Sequence, residues 1–288
     1  MTVTDYYLPG SLPEALGLLQ AHGPTLLVMA GGTIAMPLVN EGISLPEKVM
    51  GLRRTGLDRI ERVGDELHIG ATATLTQLLE QDACPMLRLA ASRTANWPVR
   101  NMGTIGGNLF APPPGGDVAT ALLALGARVT LAGPAGVRTV RLEDFHTGFM
   151  TTDLRPDELL TSITVPLEPG DTAFEKLGRK HAGTPAVVTV AVHVAWQEGT
   201  VARARIALGA AGPHPMRATR AEAAISGSRL EAEAIAASGA AASDECLAFA
   251  DSVASEWYRH RMVGVVVSRA LALLAAPAQA AAAARGGA

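Results

Sequence analysis

A chain of 288 residues, 48% of them hydrophobic, can bury roughly three quarters of its unfolded surface, in one large core or two ordinary ones. Lys+Arg at 24 nearly balances Asp+Glu at 27, so there is no electrostatic footprint for nucleic acid or an anionic membrane. The start MTVTDYYLPGSLPEAL lacks the charged and apolar regions of a signal peptide, and nowhere do about eighteen apolar residues run uninterrupted; the expectation is a cytoplasmic protein without membrane insertion.

Cys84 and Cys246 form neither a CxxC pair nor a disulfide framework, which fits a reducing compartment, and two thiols cannot hold an iron–sulfur cluster by four cysteines. In chain order, Ser11-Leu-Pro-Glu14 has the spacing of a capping box and predicts a helix from about Pro13 to Ala21. Leu26 to Met29 is a short apolar run ending in Gly31-Gly32, as a buried strand leads into a backbone loop. A strand is predicted at Leu67 to Gly70, a second capping box at Thr74-Leu-Thr-Gln77 ahead of a helix through Glu80, and helices at Met86 to Thr94 and Asp117 to Leu125. Alternation of Val129, Leu131, Val137 and Val140 predicts paired strands before an acidic turn at Glu143-Asp144.

Pro166 to Asp171 is the predicted domain boundary. Three strands follow, at Ala173 to Leu177, Val187 to Trp196 and Val201 to Leu208, and then helices around Glu222, Glu231 and Ser252 to Leu274. Residues 275 to 288 read as a low-complexity, frayed tail.

Two segments stand apart: Ala30-Gly-Gly-Thr33 and Asn101-Met-Gly-Thr-Ile-Gly-Gly-Asn108. Paired glycines allow positive φ and bring successive N–H groups up to an anion, for which a diphosphate is the natural tenant. The hydroxyls of Thr33 and Thr104 and the amide of Asn108 add donors. Each pair alone also reads as a tight turn. There is no GxGxxG after a strand and no GxxxxGK[ST], so neither a Rossmann domain nor a P-loop accounts for them. No HExxH, GxSxG or activated cysteine is present; His146 and His181 read as surface or packed imidazoles, and no catalytic or metal-ligating residue is assigned.

With these loops placed, the sequence resembles the medium, FAD-binding subunit of the xanthine dehydrogenase and carbon monoxide dehydrogenase family over nearly its whole length. The resemblance runs through YYLPGSLPEALGLL (Tyr6 to Leu19), Ala30 to Thr33, LHIGATATLTQLL (Leu67 to Leu79) and VRNMGTIGGNL (Val99 to Leu109). It continues through Asp117 to Leu125, Glu143 to Phe149, Asp157 to Pro166, Phe174 to Lys180 and the segment from Trp257 to Leu271. It implies an α+β fold: a two-part FAD-binding domain of the PCMH (vanillyl-alcohol-oxidase-like) type over residues 1–168, with subdomains of about 1–55 and 56–168. A smaller α+β domain with a three-stranded antiparallel sheet and helices would follow over 169–275, then the tail at 276–288.

The resemblance places FAD on this chain. The loop Val28, Met29, Ala30, Gly31, Gly32, Thr33, Ile34 and Ala35 would wrap the diphosphate, with Thr104, Ile105, Gly106, Gly107 and Asn108 as the second half of the cradle. Asp117 falls where the family has an acid near the FAD sugar or adenosine, and equally where a helix N-cap belongs. Leu160 matches a position whose backbone lies near the flavin edge. Lys176 falls in an FxK segment that approaches the cofactor, although a strand-end lysine needs no function. Two departures are visible: His181-Ala-Gly-Thr-Pro-Ala186 replaces the stretch that in many relatives carries an aromatic screening the flavin, and Ile34 replaces a small polar residue or acid.

The implied role is electron transfer in a heterotrimer. A large subunit with molybdopterin oxidises substrate, a small subunit carries two iron–sulfur clusters, and FAD here passes electrons to NAD, oxygen or another acceptor. A dimer of heterotrimers is the implied assembly. The competing readings are a free-standing flavin-dependent oxidoreductase, for which no acid–base residue is found, and a scaffold whose glycines are only turns.

Overall fold

The computed structural model describes residues 3–113, 115–180 and 183–286, with backbone alone beyond residue 275. The N-terminal unit runs β1 (Asp5–Tyr7), α1 (Leu12–His22), β2 (Leu26–Met29), α2 (Ala35–Asn40) and β3 (Lys48–Gly51). Its strands form a parallel sheet of order β1-β3-β2, with Asp5 and Leu26 both in register with Lys48. Parallel neighbours require crossovers, which α1 and α2 supply. The α1 cap differs from the expected box: Ser11 Oγ accepts from the Glu14 amide at 3.3 Å, but the Glu14 carboxylate reaches one residue further back, to the Gly10 amide at 2.7 Å. Ala15, Leu19, Leu26, Met50 and Leu52 make a small core here, closed by Leu159 from the second unit.

The second unit contains β4 (Ile60–Val63), β5 (Glu66–Gly70), α3 (Leu75–Glu80), α4 (Pro85–Arg93), α5 (Trp97–Met102), α6 (Ile105–Leu109) and α7 (Asp117–Ala124). After them come β6 (Arg128–Gly133), β7 (Gly136–Arg141), α8 (Leu142–Phe145), the hairpin β8 (His146–Gly148) and β9 (Thr151–Thr152), and β10 (Leu159–Pro166). The expected capping box at Thr74 and Gln77 is present, with both reciprocal bonds. Glu143 and Asp144 lie in the single-turn helix α8 and not in a turn.

The antiparallel sheet has the order β4-β5-β10-β6-β7, so the last strand of the unit inserts at its centre. That strand shows no hydrophobic alternation because it is covered on both faces, which is why periodicity passes over it. Its register breaks between Leu160 and Ser162: Ser162 pairs with Gly70 and Thr130, while Leu160 pairs with Leu131. The irregularity at Thr161 re-aims the chain beside Leu160, as bulges do next to functional sites.

The third unit is an antiparallel sheet, β11 (Asp171–Gly178), β12 (Ala186–Gln197), β13 (Thr200–Gly209) and β14 (Met216–Arg217), followed by α9 (Thr219–Ile225), α10 (Ala232–Glu245) and α11 (Glu256–Gly286). The three expected strands are joined by a fourth of two residues. One face of the sheet adds Phe174, Ala191 and Ala207 to the large core around α7, whose eight residues are all buried. The other face packs Val190, Val192 and Ile206 with Val263, Val267 and Leu271 of α11. Alanine's helix propensity is consistent with α11 continuing through the run that sequence reads as a tail. Among the described residues no helix is long and apolar enough to cross a membrane.

Candidate functional site

The site begins where β2 stops. At Gly31 an added Cβ would lie 2.7 Å from the Met102 carbonyl carbon and closer still to its oxygen, so only glycine lets this loop touch the end of α5. Gly32 then takes φ +73°, a conformation that favours glycine, and the chain turns into α2. Ile34, at the N-cap of α2, offers no side-chain acceptor. Among the described residues the amides of Gly31 to Ala35 find no acceptor, while that of Met36 already reaches the Gly32 carbonyl at 2.9 Å. A run of unspent N–H groups on a concave backbone suits an anion.

The second glycine segment is built differently. Thr104 caps α6, its hydroxyl accepting from the Gly107 amide at 3.1 Å. The Ile105 amide donates to the Ala73 carbonyl at 2.8 Å, Gly106 to Ala71 at 2.9 Å and Asn108 to Thr104 at 3.0 Å. These donors are spent inside the fold. A Cβ at Gly106 would meet the Ala71 oxygen at 2.6 Å, so this glycine serves close packing of α6 on the strand end. Asn108 turns its Oδ1 to the Ala119 amide at 3.0 Å, fixing the start of α7 and leaving its Nδ2 without a protein acceptor among the described residues. The segment presents a side-chain-free wall plus one carboxamide, not a second set of backbone donors.

Asp117 is neither cap nor free carboxylate. Gly116, at φ +86°, holds the N-cap position, and Asp117 is the first residue of α7. Its Oδ2 lies 2.6 Å from Lys176 Nζ, and its Oδ1 accepts from Thr189 Oγ1 at 2.8 Å. Lys176 also donates to the Arg93 carbonyl at 3.1 Å. The two charged side chains are only 7% and 8% exposed, so Lys176 is no surface lysine at a strand end. Such a pair costs desolvation that only a complete set of partners offsets, and here it clamps β11 and β12 to α7.

These pieces enclose a cavity of about 800 Å³. Every residue that sequence assigned to the site lines it except Ile105, which is fully buried in the core. Ile34 is part of the wall. Sequence reading missed Phe110, Ala111, Pro112 and Pro113 on one side and Leu154 and Glu158 on another; the Phe-Ala-Pro-Pro run directly after Asn108 and Leu109 was the available signal for the first group. Of the stretch His181 to Ala186, Gly183, Thr184 and Pro185 line the cavity; His181 and Ala182 lie outside the described residues.

Glu158 is buried and accepts from Arg138 Nε and Nη2, both at 2.8 Å, and from the Arg155 amide at 2.9 Å. The Arg138 guanidinium holds this carboxyl below the usual carboxylate range, and Glu158 with Asp153 raises the arginine in turn. His146 packs as an imidazole outside the cavity wall. Its Nε2–H donates to the Leu109 carbonyl at 2.8 Å, its ring stacks on His214, and burial lowers its pKa. Among the described residues the charged groups on the cavity wall are Asp117, Glu158 and Lys176, and each is ion-paired within the protein.

Residues 2–168 match the FAD binding domain in molybdopterin dehydrogenase, and residues 172–274 match the CO dehydrogenase flavoprotein C-terminal domain. The carbon monoxide dehydrogenase medium chain of Afipia carboxidovorans is 33% identical over 93% of this chain and 95% of its own length. The xanthine dehydrogenase FAD-binding subunit of Escherichia coli O157:H7 is 30% identical over 76% of this chain and 77% of its own. Among solved structures, a carbon monoxide dehydrogenase chain from Hydrogenophaga pseudoflava superposes with a TM-score of 0.91 at 34% identity, covering 95% of this chain and 97% of that one. A cavity of this size, an open run of amides and matches along almost the whole sequence lead to one assignment: the chain belongs to the FAD-binding medium subunits of the molybdenum hydroxylase family, an oxidoreductase subunit whose cofactor is FAD.

Proposed function

We propose that this chain takes electrons from two iron–sulfur clusters on a small partner subunit and passes them through FAD to an external acceptor, NAD, oxygen or another. A large partner subunit would carry molybdopterin and oxidise the substrate. One observation carries the reading: the cavity offers backbone amides at Gly31 to Ala35 for an anion, while among the described residues every charged group on its wall is already paired. That is the composition of a site that holds and positions a cofactor, and among the described residues it leaves no charged side chain free to take a proton from an organic substrate.

When bound, FAD supplies the redox chemistry. Gly31 to Ala35 would hold its diphosphate through N–H donors, and Gly106 and Gly107 would let the cofactor lie against α6. Asn108 Nδ2 would donate to it, and Leu160 on the bulged strand would border the flavin. Asp117 and Lys176, being tied to each other, would fix the wall. The match to a carbon monoxide dehydrogenase structure whose name refers to a molybdenum cofactor supports the partner assignment. The two buried free cysteines suit a cytoplasmic location. We divide the chain at residues 168 and 169, with subdomains parting near residue 55, and take the assembly as a dimer of heterotrimers.

Purification of the full chain, with FAD added if it emerges empty, tests the cofactor half: one flavin per chain is expected, and failure to retain any after reconstitution refutes it. Co-expression with the neighbouring genes tests the other half. A molybdenum subunit and an iron–sulfur subunit are expected to co-purify, and substrate oxidation by this chain alone would refute the division of labour.

A further inference from the structure

Beside the large cavity lies a second recess of about 230 Å³, lined by Arg93, Lys176, Gly178, Arg179, Lys180 and Thr184 among others. Among the described residues no carboxylate lines it. Lys176 is neutralised by Asp117, but among the described residues Arg93, Arg179 and Lys180 enter no ion pair. Arg179 is steadied by a 3.4 Å bond from Nη1 to the Ser252 carbonyl, which ties it to the loop before α11. Gly178 leaves the recess little space to lose: an added Cβ would stand 2.7 Å from Thr184 Cγ2. The recess and the large cavity share Lys176, Gly183 and Thr184, so the two spaces adjoin along these residues.

Three uncompensated cations around one concavity concentrate anions, and a guanidinium fork matches phosphate oxygens pairwise. We infer that this recess binds the phosphate groups of the electron acceptor, a pyridine dinucleotide, and so holds its other end at the mouth of the flavin cavity. The inference rests on the reading of the large cavity as the FAD site. In the exchange NAD+ takes two electrons and one proton from the reduced flavin and leaves as NADH. Oxygen, uncharged, gains nothing from Arg93, Arg179 and Lys180.

The test uses the full chain loaded with FAD, photoreduced without oxygen and mixed rapidly with either NAD+ or oxygen. Beside it stands the triple variant Arg93→Gln, Arg179→Gln, Lys180→Gln. Reoxidation by NAD+ is expected to slow about tenfold or more in the variant and to fall with salt in the wild type, while the oxygen reaction stays within about twofold. Inorganic pyrophosphate is expected to inhibit the NAD+ reaction of the wild type alone. Equal slowing with both oxidants, no slowing with either, or a wild type that NAD+ does not reoxidise overturns the inference. Loss of flavin from the variant alone also overturns it, by assigning these cations to FAD. A wild type that holds no FAD fails earlier, before any oxidant is added, and refutes the flavin reading instead.

Discussion

Replacing Gly31 by alanine separates the role of close approach from that of loop chemistry. The new methyl would start 2.7 Å from the Met102 carbonyl carbon, against 3.4 Å for ordinary contact, so loop and helix end must part by at least 0.7 Å. Met102 and Gly103 are not free to yield: the Gly103 amide bonds the Val99 carbonyl at 2.6 Å and its carbonyl accepts from Leu75 at 2.9 Å. The loop therefore moves, and with it the amides of Gly31 to Ala35. Overpacking of this kind costs about 1–3 kcal/mol. Charged to cofactor binding, that is roughly a fivefold to 150-fold rise in the flavin Kd, since about 1.4 kcal/mol is a factor of ten. Quenching of flavin fluorescence on titration into apoprotein measures it. Gly17→Ala is the control, because it lies on α1 away from the cavity and its Cβ would meet nothing within 4 Å. A Gly31→Ala chain that binds FAD as tightly as wild type would show that the loop does not hold the cofactor.

Asp117→Asn and Lys176→Met each strand one buried charge, and each is expected to cost about 3–5 kcal/mol in urea unfolding, with the double variant costing less than the sum; additive losses would mean the pair is not coupled. Arg259 is 0% exposed and is held by Asp251 through both carboxylate oxygens at 3.0 Å and by the carbonyls of Val187 and Phe249. Arg259→Leu is expected to lose about 3 kcal/mol or more by leaving Asp251 and two carbonyls unpaired, and a melting temperature within about 2 °C of wild type would contradict this. Glu158 gives a pH signature. Its folded-state pKa is depressed, so its stabilisation is complete above the ordinary value of 4.5 and disappears as pH falls through the lower folded value. The urea midpoint of Glu158→Gln is expected to fall below that of wild type at neutral pH, with the gap closing on acidification; a gap independent of pH refutes the assignment.

Local signals were legible in the sequence. The Thr74 and Gln77 capping box forms as its spacing demands, Leu26 to Met29 is a strand ending in the glycine loop, and three strands open the last unit. Such features depend on residues three or four apart, or on alternation along one strand, so their physics is contained in a short stretch of chain. The glycine segments were likewise visible as segments, and nearly all the residues assigned to them face one cavity.

What each glycine segment does was decided only by tertiary structure. Gly31 is required by Met102, and the amides of Ile105 and Gly106 are consumed by Ala73 and Ala71; no spacing rule reveals these partners. Asp117 meets Lys176 across 59 positions, so its carboxylate is half of an ion pair and not a helix N-cap. β10 takes the centre of its sheet because both its faces are covered by elements distant in sequence. The sequence by itself determined which backbone is free to approach an anion. The fold determined which of those N–H groups were left unspent, because hydrogen-bond partners are assigned by topology and not by neighbours along the chain.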